Sequence, residues 1–323
     1  MNDATESPPS FRIISRSNGV GLDRDVELVR RLLPLEATVE RHAVRSLVPF
    51  RESFQSHGKS PGWWNILFER IPFSWLRGSG RRVLIPNQER FPTRHLKRLR
   101  RVDRVFCKSM HAKTIFENLG VDAEFIGFTS FDRFLPNVQR NYKSFIHVAG
   151  RSTLKGTDTL LNLWWANPHW PSLTLIQHPS NAPKVVPENV HLIGEYLNDD
   201  RLRHLQNTHG IHLCPSSSEG WGHYIVEGMS CQAVVVTTDA PPMNELVDSS
   251  RGMLVGWNRS IARNLGTDFV VDPSSLEANI NAVLAMGDAH LEELGKRARQ
   301  WYLENDRNFS ACGRAALLEL AAA

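Results

Sequence analysis

The sequence has no long hydrophobic run, which excludes a membrane-spanning helix of ordinary length. Its longest uninterrupted apolar stretches, such as residues 233–236, are only a few residues long, whereas a helix needs ~20 apolar residues to cross a bilayer. The N-terminal segment, MNDATESPPS, is polar and acidic, and a secretory signal would need a basic start followed by an apolar stretch. We therefore expect a cytoplasmic protein, which would lie in the host cytoplasm if a phage encodes it.

Signatures of disulfides and of metal sites are also missing. The four cysteines, Cys107, Cys214, Cys231 and Cys312, lie far apart with no CxxC pair, as is typical of thiols in a reducing compartment. The 13 histidines form no HExxH motif and no Cys/His ligand cluster, so we expect no metal. No GxGxxG motif follows a strand, which argues against an NAD-dependent oxidoreductase.

The composition is that of an ordinary globular chain. Hydrophobic residues make up 41% and charged residues 22%, which excludes wholesale disorder, a collagen-like repeat and a coiled coil. A length of 323 residues is about twice that of a common single domain. The sequence therefore predicts two domains.

Strand-like and helix-like segments alternate along the chain, and this order predicts parallel sheets covered by helices on both faces. We expect an α/β fold of two Rossmann-like, doubly wound domains that face each other across a cleft. A polar stretch, 132–144, is the best candidate linker. The domains would be a compact N-terminal one at 1–138 and a C-terminal one at 139–305, with a helix at 306–323 that packs back on the N-terminal domain.

Most elements can be placed from apolar runs and helical spacing. Residues 50–80 have no clear period and are expected to be irregular. The predicted strands are 11–15, 82–85, 104–107, 123–126, 145–149, 173–177, 191–193, 211–214, 234–237 and 253–255. The predicted helices are one beginning at residue 22 after a Gly-rich turn, then 111–119, 157–165, 199–207, 224–231, 274–286, 291–305 and a terminal helix through residue 317.

The first informative motif is HVAGRSTLKGTDTLL, residues 147–161. A buried strand ends there at Gly150, and Arg151 and Lys155 precede Gly156 and a helix. Ligands of open α/β sheets bind beyond the carboxyl ends of the strands, and cations beside a helix N-terminus favour an anion such as a diphosphate. The alternative is that both cations are solvated loop charges.

The second motif spans residues 214–246 and is more specific. Ser216 ends a strand, Glu219 follows with two glycines, Gly220 and Gly222, and Glu227 lies on the next helix. Glycines allow backbone N–H groups to approach a ligand closely. Carboxylates accept hydrogen bonds from vicinal hydroxyls, so the pair of glutamates suits a ribose or a hexose.

Together these motifs resemble those of the two-Rossmann-domain (GT-B) glycosyltransferases. The resemblance is to the large retaining group that includes glycogen synthases and bacterial mannosyl- and glucosyltransferases, called glycosyl transferases group 1 (family-4-like). It covers about residues 145–286 well and the N-terminal half only in outline. The residues that carry it are Gly150-Arg151, Lys155-Gly156, Pro215-Ser216, Glu219 with Glu227, and Asp239 with Glu245.

The resemblance implies catalytic roles for Arg151 and Lys155, which would neutralise the donor diphosphate, and for Glu219, which would face the transferred sugar. It implies that the C-terminal domain binds the nucleotide sugar and that the N-terminal domain is on the acceptor side. Trp221 stands where the family usually has Phe, and His223 replaces an aliphatic residue. The implied donor-binding residues are Gly19, Gly21, Gly150, Ser216, Gly220, Trp221, Gly222, His223 and Glu227, of which Glu227 would hold the ribose.

Two N-terminal segments are candidates for the acceptor side. Asn87, Gln88 and Glu89 follow a predicted strand, where this fold class places chemistry, although a polar turn is the alternative. Residues 77–108 hold eleven Arg or Lys against two acidic residues, while the whole chain has a net charge of only +4. Four cations at i, i+3, i+4 and i+7 would share one helix face, unless they form a merely solvated surface: Arg94, Lys97, Arg98 and Arg101.

The resemblance implies a metal-independent enzyme that transfers a sugar with retention from a nucleotide-diphosphate sugar, its co-substrate, to an acceptor hydroxyl. The local positive charge favours an anionic acceptor, such as phage-type DNA with a hydroxylated base. A glycan or lipid-linked envelope acceptor, with peripheral contact to an anionic membrane, is the alternative. A non-catalytic sugar-nucleotide or nucleic-acid binding protein is a third hypothesis. No obligate protein partner is evident.

Overall fold

The chain forms two compact units, each built around its own sheet. The first unit consists of Met1–Phe128 and Arg307–Ala323, and the second of Thr129–Asp306. The structure, a computed structural model, describes residues 9–16, 21–44, 62–76 and 80–322. In this described part, no helix is both long and apolar enough to cross a membrane.

The first unit contains a six-stranded parallel sheet in the order β2-β1-β3-β4-β5-β6. Its inner strands are buried and rich in apolar residues, as parallel strands covered on both faces must be; Ile66, Leu67, Val83 and Leu84 are fully buried. The strands are β1 Ser10–Ser15, β2 Thr38–Ala43, β3 Trp63–Phe68, β4 Arg81–Ile85, β5 Arg104–Cys107 and β6 Ala123–Phe125.

Short helical segments connect these strands. The first helix buries Leu22, Val26 and Val29, whose spacing places them on one face. Its α-helices are α1 Gly21–Arg30, α2 Leu96–Leu99 and α3 Met110–Asn118, with 3-10 turns at Phe73–Leu76, Gln88–Arg90 and Thr93–His95.

The second unit contains another six-stranded parallel sheet, in the order β12-β11-β10-β7-β8-β9. This is the Rossmann arrangement, in which the strand order reverses at the centre of the sheet. The strands are β7 Asn141–Gly150, β8 Leu173–Gln177, β9 Val190–Ile193, β10 His209–Cys214, β11 Val234–Thr238 and β12 Gly252–Val255. A separate antiparallel hairpin is formed by β13 Trp257–Arg263 and β14 Gly266–Val271.

Side-chain caps fix where several helices of the second unit begin. Asn198 accepts a hydrogen bond from the backbone N–H of Arg201, and Asp272 accepts one from that of Ser274, with Pro273 as the first helical residue. The helices are α4 Thr157–Ala166, α5 Asp199–Thr208, α6 His223–Ser230, α7 Met243–Leu246, α8 Pro273–Ala285 and α9 Asp288–Ala322.

The predicted α/β class with two doubly wound parallel sheets is confirmed. The unit boundary lies at Phe128, before the expected residue 138, because the segment that follows is anchored in the second unit. The backbone N–H of Arg133 donates to Ser230 Oγ at 3.0 Å, and its side chain is buried. The polar stretch 132–144 is therefore not a loose linker.

Three local predictions differ from the structure. Residues 50–80 are not all irregular, since β3 lies among them; residues 50–61 and 77–79 lie outside the described part. The hairpin of β13 and β14 was not expected, because Trp257–Arg263 is exposed throughout and has no apolar run. The two predicted C-terminal helices are one continuous helix, α9.

The C-terminal part of α9 packs within the first unit. Trp64 Nε1 donates a hydrogen bond to the carbonyl of Leu320 at 2.6 Å. The rings of Phe128 and Phe309 meet edge to face with centroids 5.0 Å apart. These contacts join sequence-distant ends of the first unit into one core.

Candidate active site

The loops that follow β7 and β10 form the centre of the candidate site in the second unit. These strands are parallel neighbours at the point where the strand order reverses, which is where ligands bind in open α/β sheets. The loops also contact each other directly, because the backbone N–H of Ser217 donates to the carbonyl of Leu154 at 2.8 Å. The motifs at 150–156 and 215–222 are thus brought together.

Two glycines make this junction sterically possible. Gly156 has φ 72° and precedes α4, and a Cβ at this position would meet the Pro215 carbonyl oxygen. Gly222 has φ 109° at the start of α6. Both conformations disfavour other residues, so the glycine spacing reflects backbone geometry at the site.

One cation–ring contact and two hydrogen bonds connect the lysine of the first motif to the glutamate of the second. Lys155 Nζ lies 3.3 Å from the centroid of the Tyr224 ring. Ser216 Oγ lies 2.5 Å from the Tyr224 hydroxyl and donates to Glu219 Oε1 at 2.6 Å. Because Ser216 has only one hydroxyl proton, Tyr224 is the donor in its bond to Ser216.

Burial keeps the groups under this chain uncharged. It raises the pKa of Tyr224 well above its usual value, so the phenol keeps its proton. Burial, together with the charge of Lys155, also lowers the pKa of His147 to about 4. The neutral His147 donates through Nδ1 to the Leu213 carbonyl at 2.7 Å and accepts from the Thr157 hydroxyl at 3.0 Å.

The two cations of the first motif are available to an anion. Arg151 is exposed and Lys155 half-buried, and neither forms an ion pair with a carboxylate within the described residues. The loop that carries Arg151 is anchored through its backbone, since Asn181 Nδ2 donates to the Arg151 carbonyl at 2.7 Å. The backbone of the loop is thus held in place, while the positive side chains have no carboxylate partner among the described residues.

Glu227 is buried on α6, with only 3% of its surface exposed. Gln206 Nε2 donates to its Oε2 at 3.0 Å. Gln206 in turn accepts from Arg133 Nε at 2.8 Å, and Arg133 binds both carboxylate oxygens of Asp199. A network that begins at the linker-like segment therefore orients Glu227.

The beginning of α6 places three further predicted donor residues. Trp221 and Gly220 are buried and His223 is half-buried. His223 Nδ1 lies 2.8 Å from Ser130 Oγ, and the Ser130 carbonyl accepts from the Tyr302 hydroxyl at 2.9 Å. The unusual histidine is thus held by a segment that the sequence did not connect to the site.

In the first unit, Gly21 is the first residue of α1, while Gly19 lies outside the described residues. Asn87 accepts from Lys108 Nζ at 2.9 Å, and the same ammonium group donates to Asp25 at 2.5 Å. Lys108 and Asp25 are almost fully buried, so they form an internal ion pair. Gln88 and Glu89 are buried in a 3-10 turn.

The prediction that four cations share one helix face is wrong. The helix in this region is only Leu96–Leu99, and a 3-10 turn precedes it. Arg98 donates to the Ile71 carbonyl at 2.6 Å and Arg101 to the Leu76 carbonyl at 3.1 Å, so both hold the preceding loop in place. Arg94 and Lys97 stay exposed.

Sequence reasoning missed Tyr224, His147 and Gln206. Tyr224 immediately follows the glycine motif, but nothing in the sequence shows that its hydroxyl reaches Ser216. His147 and Gln206 are polar residues within apolar or helical patterns, and such residues signal a buried network only when their partners are known. Among the described residues, no group of three His, Cys, Asp or Glu is placed to hold a metal ion.

Solved structures with the same fold include glycosyltransferases of similar length. One, from Rickettsia africae, is 13% identical, with a TM-score of 0.72 over 98% of this chain and 99% of that one. Sucrose-phosphate synthase from Thermosynechococcus elongatus is 15% identical, with a TM-score of 0.71 over 98% and 100%. Anabaena HepE in complex with UDP and glucose is 14% identical, with a TM-score of 0.66 over 96% and 98%.

The two six-stranded parallel sheets of this chain are those of the GT-B fold, which these solved structures share. Residues 184–301, within the second unit, match the model of the family glycosyl transferases group 1. No curated protein sequence matches the chain. It spans 58%, 60% and 56% of the length of three longer structural neighbours.

Proposed function

We propose that the protein is a retaining, metal-independent glycosyltransferase that moves a hexose or pentose from a nucleoside diphosphate sugar to an acceptor hydroxyl. The observation that carries this proposal is the pair of cations, Arg151 and Lys155, which have no carboxylate partner in the described second unit. They lie beside Ser216, Glu219 and the start of α6, where strand order reverses. Such a place suits a diphosphate with an attached sugar.

Each group has a role in this proposal. Arg151 and Lys155 stabilise the negative charge that develops on the leaving diphosphate, together with backbone N–H groups at the start of α6. Glu219, held by Ser216, accepts hydrogen bonds from the transferred sugar. Glu227, oriented by Gln206, accepts them from the ribose of the nucleotide.

The reaction needs no group beyond the donor, the acceptor and these residues. The bond between the anomeric carbon and the diphosphate oxygen breaks, and the acceptor oxygen bonds to the same face of that carbon. The departing diphosphate takes up the proton of the acceptor hydroxyl. Fixed cations lower the energy of this step because they stabilise the leaving group more than the intact donor.

The structural relatives support the donor class. HepE was solved with UDP and glucose, and a pneumococcal O-GlcNAc transferase was solved with UDP and GlcNAc. We extend this donor class to the present chain because its second unit has the cations and the paired glutamates described above. The proposal does not depend on which base or sugar is used.

For the acceptor, we propose an anionic molecule bound by the first unit. Phage-type DNA with a hydroxylated base was the example favoured by charge, with a glycan or lipid-linked acceptor at a membrane surface as the alternative. The described cations of the basic segment do not form one continuous surface, however, because some of them are paired with carboxylates at different places. Arg104 pairs with Asp122 at the amino end of β5, and Lys108 is buried with Asp25. This division favours a small acceptor over an extended polyanion.

The test is release of nucleoside diphosphate from a panel of nucleotide sugars, with glycans, sugar phosphates, lipid acceptors or modified DNA as acceptors. Lys155→Ala should reduce the release at least about a hundredfold, since one donor to a developing anion is worth that much. Lys184→Ala, which removes an exposed lysine of the same unit, is the control. Retention is read from the anomeric proton of the product by NMR.

Tight binding of a nucleotide sugar without any turnover would instead support the non-catalytic hypothesis. Absence of both binding and turnover with every donor would contradict the proposal. Turnover that disappears with a metal chelator and returns with added Mg²⁺ would contradict its metal-independent form.

A further inference from the structure

Four arginines gather at the carboxyl edge of the first unit's sheet. Arg16 directly follows β1, Arg70 follows β3 by one residue, and Arg94 and Arg98 lie in the segment after β4. Neighbouring strands β1, β3 and β4 are parallel, so the segments after them meet at one edge. We call these four residues the arginine cluster.

The cluster occupies the place where this sheet is expected to bind a ligand. The strand order runs β2-β1-β3-β4, so the connections after β1 and β3 leave on opposite sides. In sheets of this order the crevice between these two strands is the ligand site. Arg16 and Arg70 flank it, which is an argument from topology that does not depend on charge.

Within the described residues, the charge of the arginine cluster is balanced only in part. Glu69 is the one carboxylate among the groups that act on Arg16 and His95 in the described residues, and it already lies 3.2 Å from Arg70 Nε. Within the same residues, neither Arg16 nor Arg94 has an ion pair. Four guanidinium groups beside one carboxylate repel one another unless an anion is present.

The neighbouring histidine adds no charge of its own. His95 is 5% exposed. Its pKa is lowered to about 4, mainly by burial and then by the positive charges of the neighbouring arginines. The backbone N–H of Ile71 lies 3.3 Å from His95 Nδ1. Arg98 donates to the Ile71 carbonyl, so this arginine is anchored to the segment after β3.

We infer that Arg16, Arg70 and Arg94 bind a single phosphate group carried by the acceptor. Guanidinium groups match phosphate oxygens in pairs, and a phosphate dianion neutralises most of the excess charge. Arg16 and Arg70 are half-buried, and the charges of Arg70 and Arg94 both act on Arg16, which suits one phosphate monoester better than a long backbone of phosphodiesters. The inference rests on the proposed function, since it assigns this edge to the acceptor.

The decisive experiment measures phosphate binding directly, without turnover. Calorimetric titration of the full chain with inorganic phosphate and with glucose 6-phosphate should show saturable binding, and glucose should show none. Arg94→Gln and Arg16→Gln should each weaken binding about tenfold, the size expected for one lost charged hydrogen bond. Arg100→Gln, which removes an exposed arginine outside the arginine cluster, should bind as the original protein does.

A second readout links the arginine cluster to catalysis. With a phosphorylated acceptor, Arg94→Gln should raise the acceptor KM about tenfold and leave kcat and the affinity for UDP unchanged. Removing the phosphate from the acceptor should produce the same rise in the original protein. Vesicles that contain phosphatidic acid distinguish a lipid phosphate from a soluble sugar phosphate as the natural source.

Three outcomes would overturn the inference. One is equal phosphate affinity for Arg94→Gln and Arg100→Gln. Another is tight binding of duplex DNA that is weakened equally by substitution of any exposed arginine of the segment, because this result would indicate a diffuse basic surface for a polyanion. The third is displacement of phosphate by UDP, which would assign the arginine cluster to the donor. Normal binding of a nucleoside diphosphate without phosphate binding rejects this inference alone, whereas failure to bind any nucleoside diphosphate or nucleotide sugar of the panel rejects the proposed function.

Discussion

The ammonium group of Lys155 lies on the face of the Tyr224 ring, 3.3 Å from its centroid, while the hydroxyl of the same ring donates to Ser216. One aromatic side chain therefore supports both a cation and, through Ser216, the carboxylate of Glu219. The face of an aromatic ring attracts a cation through the quadrupole of the ring, so Tyr224 holds the ammonium group in place. The arrangement positions opposite charges in one site without letting them neutralise each other directly.

Tyr224→Phe tests the second half of this relationship. The ring under Lys155 remains, but Ser216 loses the donor that fixes its own hydroxyl on Glu219. We expect kcat to fall about tenfold, the effect of one hydrogen bond, with little change in UDP affinity. Tyr142→Phe, which removes a hydroxyl that donates to the Gln232 carbonyl elsewhere in the second unit, is the control. A larger loss of UDP affinity than of kcat would contradict the assignment.

Glu227→Gln should weaken the binding of UDP about tenfold, because a neutral amide replaces a charged acceptor for the ribose hydroxyls. Calorimetry with UDP and with free uracil separates a ribose contact from a base contact. Gln206→Leu should produce a smaller loss, since it only releases the orientation of Glu227. Glu188→Gln removes an exposed carboxylate and should have no effect. Unchanged UDP affinity in Glu227→Gln would refute the ribose role.

Gly156→Ala should destabilise the fold. Its φ of 72° and the nearby Pro215 carbonyl leave no room for a Cβ, so we expect a loss of about 1–3 kcal/mol in the free energy of unfolding. Urea unfolding measures it. Gly287→Ala provides the matched control, because a Cβ there meets nothing within 4 Å. Equal stability of the two variants would contradict the close approach of the two loops.

Lys108 and Asp25 form a buried ion pair whose partners cannot be removed singly without cost. Lys108→Met leaves a buried carboxylate, and Asp25→Leu leaves a buried ammonium group, so each should cost about 3–5 kcal/mol of stability. The double variant should lose less than the sum of the single variants. Additive losses in thermal or urea unfolding would show that the two groups do not interact.

The second unit should lose stability in weak acid through His147. Burial holds its pKa at about 4 in the folded state, below the value of about 6.5 in an unfolded chain. The unfolded chain therefore binds more protons, so the free energy of unfolding falls as the pH decreases from about 6.5 to 4. His147→Asn retains a donor for the Leu213 carbonyl without titrating. Unfolding curves at pH 7, 6 and 5 should be less pH-dependent for this variant.

The second unit could be predicted well because its strands, helices and site residues each correspond to a pattern within a short stretch of sequence. Strands buried on both faces are short apolar runs, and the helices between them keep their spacing, so Leu173–Gln177 was predicted at its observed bounds. The glycines and glutamates of the site lie close together in sequence. Because these residues follow neighbouring parallel strands, the order of the strands alone places them at the carboxyl edge of the sheet.

The rest depends on contacts between distant segments. Trp63–Phe68 reads as irregular because Asn65 interrupts its apolar run and Gly, Pro and Ser residues surround it. The arginine cluster is invisible in sequence, since Arg16, Arg70 and Arg94 meet only through the order of the strands. The spacing of four cations indicated a helix face, but Arg98 and Arg101 are used for backbone carbonyls of the preceding loop.

The path of α9 has a consequence for the order in which the protein is made. Residues 129–306 are continuous, so the ribosome delivers the second unit in one stretch. The first unit closes only after residue 320 has emerged, when its carbonyl reaches Trp64. During synthesis, Trp64 therefore lacks this partner until the whole of the second unit has been made.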